Sequence, residues 1–508
     1  MHLWLQKSLP ADFSEDSRML FNSFQFLVFF PIAVLAFYLT PQRMRWLTGL
    51  IASYYFYMCW KPVFAVLIFT STATDYLVGL GLDKYRTKGR RRLLLSTSLV
   101  VNLGLLFTFK YLDFALTNVD HFLKALGFKM VLPYPELVLP VGISFYTFQT
   151  ISYTIDVYQR KIPTEYHFGR FALYVAYFPQ LVAGPIERAS RLLPQFKNKP
   201  EFSLNRVSSG LRLILWGLFK KMCVADLIAT PVTTIYGQPA LFDGSYLLLG
   251  TVLFTIQIYC DFSGYSDIAI GCARIMGIDL MINFRQPYFA KSITEFWQRW
   301  HISLTTWFRD YVYIPLGGNR CSKRRWMTNI LIVFIVSGIW HGAAWTFIVW
   351  ALLHAIYLLG ERMLRPYLIT FSKTIGLDRL AWLQSLIQVF ITFSLVTIAW
   401  VFFRAQTFSD AVDILVMMSD WSRFNLADLD KLGLLTFEIM LCFLMPALMI
   451  FIDYCICFKP RVIMKFWEYD FFRSFSYVTG LYLILLFGVF QKIDFIYFQF
   501  QCSIIYQE

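Results

Sequence analysis

The sequence reads SITEFWQRWHISLTTWFRDYVYIPLGGNRCSKRR at residues 292–325 and GIWHGAAWTFIVWALL at residues 338–353. In the first stretch, Ser292 and Glu295 have the spacing of a capping box, which predicts that a helix begins at Ser292. At about 100° per residue, large apolar side chains as far as Tyr311 fall on one face of that helix and charged side chains on the other. We therefore expect one amphipathic helix that is too polar to cross a bilayer.

Each stretch carries a histidine. His301 lies at the border of the apolar face, where packing can hold an imidazole that faces a cavity. His341 lies between Trp340 and Gly342 in a segment apolar enough for a membrane, where an ionisable group costs about 3 kcal/mol unless it is paired or faces water. His341 is therefore either a satisfied core histidine or a functional one. Because imidazole is largely unprotonated at neutral pH, the functional role that suits it is that of a general base.

The composition indicates an all-α polytopic membrane protein. Of the 508 residues, 57% are hydrophobic and only 15% are charged, whereas soluble domains carry about 25% charged residues. The formal net charge is +14, but the Lys and Arg residues cluster in short loops beside apolar segments. This pattern favours positively charged loops at a membrane surface over nucleic-acid binding.

The distribution of apolar segments predicts four regions. They are a polar N-terminal extension (residues 1–18), a transmembrane core (19–403), a linker (404–433) and C-terminal transmembrane helices (434–508). The extension lacks the features of a signal peptide, and Met1 and Met19 both stay candidates for the start. Basic clusters at residues 43–45 and 84–92 predict cytoplasmic loops and an external N-terminus.

Several apolar segments are shorter than the roughly 20 residues that a membrane crossing needs, and these predict half-crossings or buried helices. Residues 168–186 are interpreted as re-entrant, because Pro179, Gly184 and Pro185 interrupt them. Residues 246–259 and 265–278 are predicted as separate segments, since Ser263 and Gly264 lie between them.

Other candidate groups carry weaker signals. His354 lies 13 positions after His341 and would occupy nearly the opposite face of a continuous helix, so we do not expect the two to share a site. Asp261 either orients an imidazole or, as we favour, pairs with a buried arginine. The nine cysteines include no CxxC pair, and the sequence contains no GxSxG, HExxH, Walker or GxGxxG motif. It therefore offers no support for a metal site, a serine hydrolase or a nucleotide-driven enzyme.

At several places the sequence resembles the membrane-bound O-acyltransferase family, and closely its alginate-acetylating branch. The matching motifs are MLFNSFQFLVFFPI and IASYYFYMCW (within residues 19–60), LPVGISFYTFQTISYTIDVY (139–158), FPQLVAGPI (178–186), YCDFSGYSDIAIG (259–271), NFRQPYFAKSITEFWQRWHISLTTWFRDYVYIPLGGN (283–319) and WHGAAWTFIVW (340–350). One departure is Ala351, where a glycine commonly follows the last motif.

The resemblance implies roles for both histidines. The essential histidine of the family corresponds to His341 in WHG, and a second polar position corresponds to His301 in RWHISL. It also implies a helical core with re-entrant and amphipathic interfacial helices, in which a cytoplasmic and an extracytoplasmic funnel meet. The implied donor is acetyl-CoA or another acyl thioester, with no metal. The implied acceptor is an extracytoplasmic polysaccharide or an acyl-accepting partner protein, at the inner membrane of a bacterium.

Together, the residues and the resemblance predict an O-acyltransferase with His341 as general base, and with His301 orienting it or polarising the acyl carbonyl. A positioned base typically contributes about 100- to 10,000-fold in rate. No activated Ser or Cys is evident, which favours direct transfer over a covalent acyl-enzyme. The alternatives are D-alanyl transfer to teichoic acid, a non-enzymatic polysaccharide transporter, and a passive scaffold for secretion partners.

Overall fold

The computed structural model describes residues 18–128, 133–135, 137–198, 201–422, 425–491 and 493–496. Across these ranges the chain is helical and contains no β-strand, and seven helices are long and apolar enough to cross a membrane. The prediction of an all-α polytopic membrane protein is confirmed. The predicted polar extension, residues 1–18, lies outside the described residues except for Arg18.

The helices follow one another along the chain, with longer connections after Ala125, Ile275 and Met417. Their bounds are α1 Phe24–Leu39, α2 Arg45–Met58, α3 Phe64–Lys84, α4 Lys88–Leu106, α5 Leu112–Ala125, α6 Ile143–Tyr158, α7 Phe168–Ala176, α8 Phe178–Leu181, α9 Ala189–Lys197, α10 Leu204–Leu218, α11 Asp226–Gly237, α12 Gly244–Ile275, α13 Ile293–Arg299, α14 Ile302–Phe308, α15 Lys323–His341, α16 Trp345–Thr374, α17 Ala381–Arg404, α18 Phe408–Met417, α19 Thr436–Phe458, α20 Pro460–Glu468 and α21 Asp470–Phe487. Three π-helical turns, Phe107–Tyr111, Phe219–Ala225 and Arg309–Tyr313, continue α4, α10 and α14.

The core is built around α12, a largely buried helix of 32 residues. The predicted break at Ser263 and Gly264 is wrong, since the helix runs through both. Gly264 instead allows close packing: a Cβ there would lie 2.8 Å from the carbonyl oxygen of Gly217 in α10. Gly271 lies further along the same two helices, and a Cβ there would lie 2.6 Å from the carbonyl oxygen of Gly210. Small residues at such positions let two helix backbones approach inside a membrane.

The predicted amphipathic helix begins where expected but is not continuous. The Ser292 hydroxyl accepts from the Glu295 amide at 3.0 Å, whereas the Glu295 carboxylate accepts from the Lys291 amide and not from that of Ser292. The chain then leaves the helical path at residues 300–301, and a second helix, α14, follows. The predicted single helix is therefore wrong in its second half, because contacts with a neighbouring segment satisfy the backbone groups at the break.

The interruption predicted within residues 168–186 is confirmed, although it falls at Tyr177, before Pro179. The two resulting helices, α7 and α8, are too short to cross a bilayer and are almost wholly buried. The Ser53 hydroxyl accepts from the Phe178 amide at 3.1 Å, which pairs one backbone group at the break. This agrees with the rule that irregular backbone at depth must be enclosed by protein.

Asp261 has the structural role that the sequence favoured, with a lysine as partner in place of an arginine. The Lys221 amino group lies 2.7 Å from Asp261 and 2.8 Å from Asp226, and all three side chains are at most 9% exposed. The other oxygen of Asp261 accepts from the amide of Ile496 at 2.6 Å. This buried ion cluster therefore ties α12 to the last described residues of the chain.

Gly264→Ala should destabilise the protein by about 1–3 kcal/mol, because the added methyl group meets backbone atoms that cannot move aside independently. Gly360→Ala is the matched control: it is also a helical glycine, but a Cβ there has nothing within 4 Å. Thermal unfolding in detergent checks this. A melting temperature for Gly264→Ala at or above that of Gly360→Ala would contradict the proposed close contact.

Lys221→Met should destabilise the protein by about 3–5 kcal/mol, since it leaves two carboxylates buried without their cation. Lys431→Met removes a half-exposed ion pair with Asp428 and should change stability by no more than about 1 kcal/mol. Thermal unfolding and the yield of monodisperse protein measure both. Equal effects of the two substitutions would show that the buried ion cluster is not a stabilising element.

Candidate active site

His341 is the last residue of α15, and it is enclosed by aromatic rings. The residue is only 6% exposed. The ring centroids of Trp340, Trp350 and Phe403 lie 5.0, 4.8 and 5.5 Å from the imidazole centroid, all edge to face. The chain leaves the helix at Gly342, where a Cβ would lie 2.1 Å from the Phe347 ring. The glycine after the histidine is therefore required by packing.

His301 lies at the break between α13 and α14, with a left-handed backbone (φ 42°, ψ 53°). This region is unfavourable for residues other than glycine, and such strain is concentrated at functional positions. The residue is 1% exposed, and neither ring nitrogen has a hydrogen-bond partner among the described residues. Because buried polar groups are normally paired, the two unpaired nitrogens make His301 a candidate functional group.

A neighbouring segment holds the backbone around His301 in place. The carbonyl of Asn283 accepts from the Ile302 amide at 2.9 Å, and its side-chain oxygen accepts from the Ser303 hydroxyl at 2.7 Å. The same hydroxyl accepts from the Ile186 amide at 3.0 Å. Sequence reasoning did not single out Asn283. The only signal was its place at the start of the long motif at residues 283–319.

The two predicted histidines lie beside one indole. The Trp340 ring centroid is 6.1 Å from that of His301 and 5.0 Å from that of His341. Phe145 packs against both His301 and Trp340, and Phe262 packs edge to face on His301 at 4.6 Å. The structure therefore brings the two imidazoles, from separate elements, into one aromatic cluster.

His354 occupies a neighbouring position, behind Trp350. The prediction that His354 and His341 point in nearly opposite directions assumed one continuous helix. The helix is interrupted at residues 342–344, and His354 lies in α16. Trp350 contacts both rings, with centroids 4.8 Å from His341 and 5.1 Å from His354. His354 is fully buried, and its ring nitrogens have no hydrogen-bond partner in the described part of the chain.

Two further features near the histidines were missed by sequence reasoning. The Lys110 amino group donates to the backbone carbonyls of Trp340 and His341. Near the C-terminus, Phe495 packs on Phe262, the ring that covers His301, with centroids 5.5 Å apart. A lysine inside an apolar run was the available signal for Lys110, whereas nothing local marked Phe495.

A separate cavity of about 680 Å³ lies at the opposite end of α15 from His341. Its lining comprises two basic, two aromatic, two small polar and two apolar residues, namely Lys323, Arg362, Trp326, Tyr367, Asn319, Cys321, Met363 and Pro366. The Arg362 guanidinium lies over the Trp326 ring at 5.2 Å. Such a lining suits an anionic group next to a flat ring. Within the described ranges, no three His, Cys, Asp or Glu side chains are grouped as a metal would need.

The described geometry suits proton transfer. Imidazoles enclosed by aromatic rings are kept from bulk water, and a base in such a place acts on a substrate that displaces the remaining solvent. The cluster therefore offers acid–base chemistry at a buried carbonyl or hydroxyl.

Comparison with known proteins agrees with this geometry. The model of the family described as MBOAT, membrane-bound O-acyltransferase, matches residues 67–406, which include both histidines. The probable alginate O-acetylase of Pseudomonas syringae pv. tomato is 38% identical over 421 residues, which cover 82% of this chain and 78% of that protein.

Two further relatives carry other names. The peptidoglycan O-acetyltransferase of Helicobacter pylori is 36% identical over 451 residues, covering 81% of this chain and 82% of that protein. The teichoic acid D-alanyltransferase of Streptococcus thermophilus is 30% identical over 287 residues, covering 52% of this chain and 68% of that protein. The family match and these identities show that the chain belongs to the membrane-bound O-acyltransferase family.

Proposed function

We propose that this O-acyltransferase moves an acyl group, namely acetyl, from a cytoplasmic thioester to a hydroxyl of an extracytoplasmic polysaccharide, with His341 as general base. The transfer is direct or passes through an acyl-accepting partner protein. The single observation that carries the proposal is the burial of His341 and His301 beside one indole in an aromatic cluster. The proposed location is the inner membrane of a bacterium, where lipid surrounds the apolar helices.

The proposed reaction needs only one proton carrier. His341 accepts the proton of the attacking hydroxyl as its oxygen forms a bond to the thioester carbonyl carbon. The carbon–sulfur bond then breaks, and the imidazolium returns the proton to the leaving thiolate. The products are an ester and a free thiol, and the imidazole is restored. Surrounding rings favour this step because they exclude water that would otherwise hydrolyse the thioester.

His301 is proposed to support that step, by orienting His341 or by donating an N–H to the acyl carbonyl oxygen as negative charge develops there. Its unpaired ring nitrogens support such a part, because one of them can donate without breaking a bond within the protein. A preorganised donor of this kind is typically worth about 100- to 1,000-fold in rate.

Acetyl transfer to a polysaccharide is favoured over D-alanyl transfer by the extent of the matches. The relatives named as O-acetylases align with about four-fifths of this chain, whereas the relative named as a D-alanyltransferase aligns with 52% of it. The proposed donor is acetyl-CoA, and the basic cavity beside Trp326 supports binding of its phosphate groups, on the face that is predicted to be cytoplasmic from Arg320, Lys323, Arg324 and Arg325.

His341→Ala should lower acyl transfer by about 100- to 10,000-fold, because it removes the base. His301→Ala should lower it by about 100-fold or more. The assay uses purified protein in proteoliposomes with radiolabelled acetyl-CoA, and with alginate oligosaccharides and peptidoglycan fragments as trial acceptors. It reports the base-labile ester that forms on each acceptor.

His354→Ala is the matched control, because it also removes a buried imidazole that packs against Trp350, and it should keep activity within about tenfold. Comparable melting temperatures for the three variants make the comparison valid. Wild-type transfer by well-folded His341→Ala would end the proposal for the base.

The donor and acceptor are tested in the same system. We expect label from acetyl-CoA to appear in a polysaccharide ester, or in an added extracytoplasmic partner protein, and to require the intact membrane protein. If label appears only when a D-alanyl thioester replaces acetyl-CoA and teichoic acid is the acceptor, the D-alanyl alternative holds. If glycan crosses the bilayer without being esterified, the protein is a transporter.

A further inference from the structure

The helix that carries His341 has an unusual ending. The last carbonyl groups of a helix have no partner within it, and they are normally paired by the following backbone, by water or by side chains. Here the carbonyl of Gly338 accepts from the amide of Gly342 at 3.3 Å. The three carbonyls that follow, of Ile339, Trp340 and His341, are all bound by side chains from a different transmembrane helix.

Two adjacent residues supply those bonds. The Tyr111 hydroxyl donates to the Ile339 carbonyl at 2.8 Å. The Lys110 amino group donates to the Trp340 carbonyl and, at 3.2 Å, to the His341 carbonyl. Both residues lie in the π-helical turn Phe107–Tyr111, which interrupts the long helix of residues 88–125. Single π turns within α-helices occur frequently at functional sites.

The Lys110 amino group has a third acceptor. The Ser144 hydroxyl, at the start of α6, lies 3.3 Å from it. An ammonium group has three N–H donors, so the three acceptors match its capacity. The Trp340 ring nitrogen also donates to the Ser144 carbonyl, at 3.4 Å. Lys110 thus joins three elements at the point where the chain delivers both Trp340 and His341 to the aromatic cluster.

A cation is suited to this place for electrostatic reasons. The carbonyl end of a helix carries partial negative charge, and a cation there is stabilising, the more so where water is scarce. The Lys110 residue is only 9% exposed, and an ionisable side chain inside a membrane is costly unless it has such partners. The buried amino group of Lys110 is therefore stabilised only while the carbonyl end of α15 lies against it.

Comparing Tyr111 with Lys110 distinguishes positioning of the imidazole from packing of the helix end. Its hydroxyl binds a carbonyl of the same helix end, but the residue it binds, Ile339, is 43% exposed and lies outside the aromatic cluster. Lys110 binds the carbonyl of the residue that bears the imidazole. Loss of either bond loosens the same helix end, while only loss of Lys110 frees the backbone of His341 itself.

We propose that Lys110 is a positioning residue, which fixes the backbone of His341, and hence its imidazole, relative to the acyl carbonyl. This inference rests on the proposed role of His341 as base. A displacement of about 1 Å at a reacting group can cost about 100-fold in rate. The effect of Lys110 should therefore fall on the chemical step and leave donor binding unchanged.

Lys110→Met, Lys110→Arg and Tyr111→Phe test the proposal, with acetyl transfer from radiolabelled acetyl-CoA measured in proteoliposomes on whichever trial acceptor the wild type labels. Methionine keeps the length of the side chain and removes its N–H donors, whereas arginine keeps a cation with donors. We expect Lys110→Met to lower kcat by about 10- to 100-fold with KM for acetyl-CoA within about twofold. Lys110→Arg should recover at least about a third of wild-type kcat, and Tyr111→Phe should stay within about threefold.

Several outcomes would overturn the inference. One is wild-type kcat in Lys110→Met, and another is an equal loss in Lys110→Met and Tyr111→Phe with no recovery in Lys110→Arg, which would indicate packing alone. If Lys110→Met gives no monodisperse protein, Lys110→Gln, which keeps an N–H donor but no charge, is compared with Lys110→Arg. Equal and wild-type kcat in both would then reject a role for the cation.

The result for His341→Ala is read separately. An active His341→Ala enzyme removes the proposed base, whatever Lys110 does. An inactive His341→Ala enzyme together with a fully active Lys110→Met enzyme rejects only the positioning role. In the double variant, Lys110→Met should add no further loss to that of His341→Ala, because a residue that acts through the imidazole has nothing left to position.

Discussion

The structure depends on keeping polar groups paired at a depth where water is not available. Wherever a helix ends or breaks within the core, a backbone group loses its partner, and in a membrane each such loss costs several kcal/mol. This chain has two such places at the histidines proposed to act in acyl transfer. At His301, Asn283 and its neighbours satisfy the backbone of the break, and at His341 the side chains of Lys110 and Tyr111 bind the end of the helix.

The aromatic cluster follows from the same constraint. A buried imidazole needs neighbours that hold it by shape, and indole and phenyl rings do so without competing for its protons. Trp340 contacts both His301 and His341, and Trp350 contacts both His341 and His354. Three imidazoles thus share a wall of rings, and the two that the family resemblance implicates are those that meet at Trp340.

Distant parts of the chain stabilise this arrangement. Lys221 forms ion pairs with Asp261 of the central helix and with Asp226, and Asp261 in turn accepts from the amide of Ile496. The adjacent Phe495 packs on Phe262, which covers His301. The buried ion cluster therefore connects the packing of the central helix to the wall of the histidine site. The glycine contacts between α10 and α12 allow the close approach that this cluster needs.

The sequence by itself determined the all-helical membrane class, the helix start at Ser292 and the interruption near Pro179, and it marked His301 and His341 as candidate site residues, because apolar periodicity, capping residues and specific motifs are local signals. It failed at Gly264, where a glycine that suggested a break instead packs against another backbone, and at His301, where a helix that periodicity predicts as continuous is broken. It also gave no role to Lys110, Asn283 or Phe495. Only the tertiary structure decided these points, since each depends on a partner far away in the chain, and local pattern carries no information about which distant group will satisfy a buried donor or acceptor.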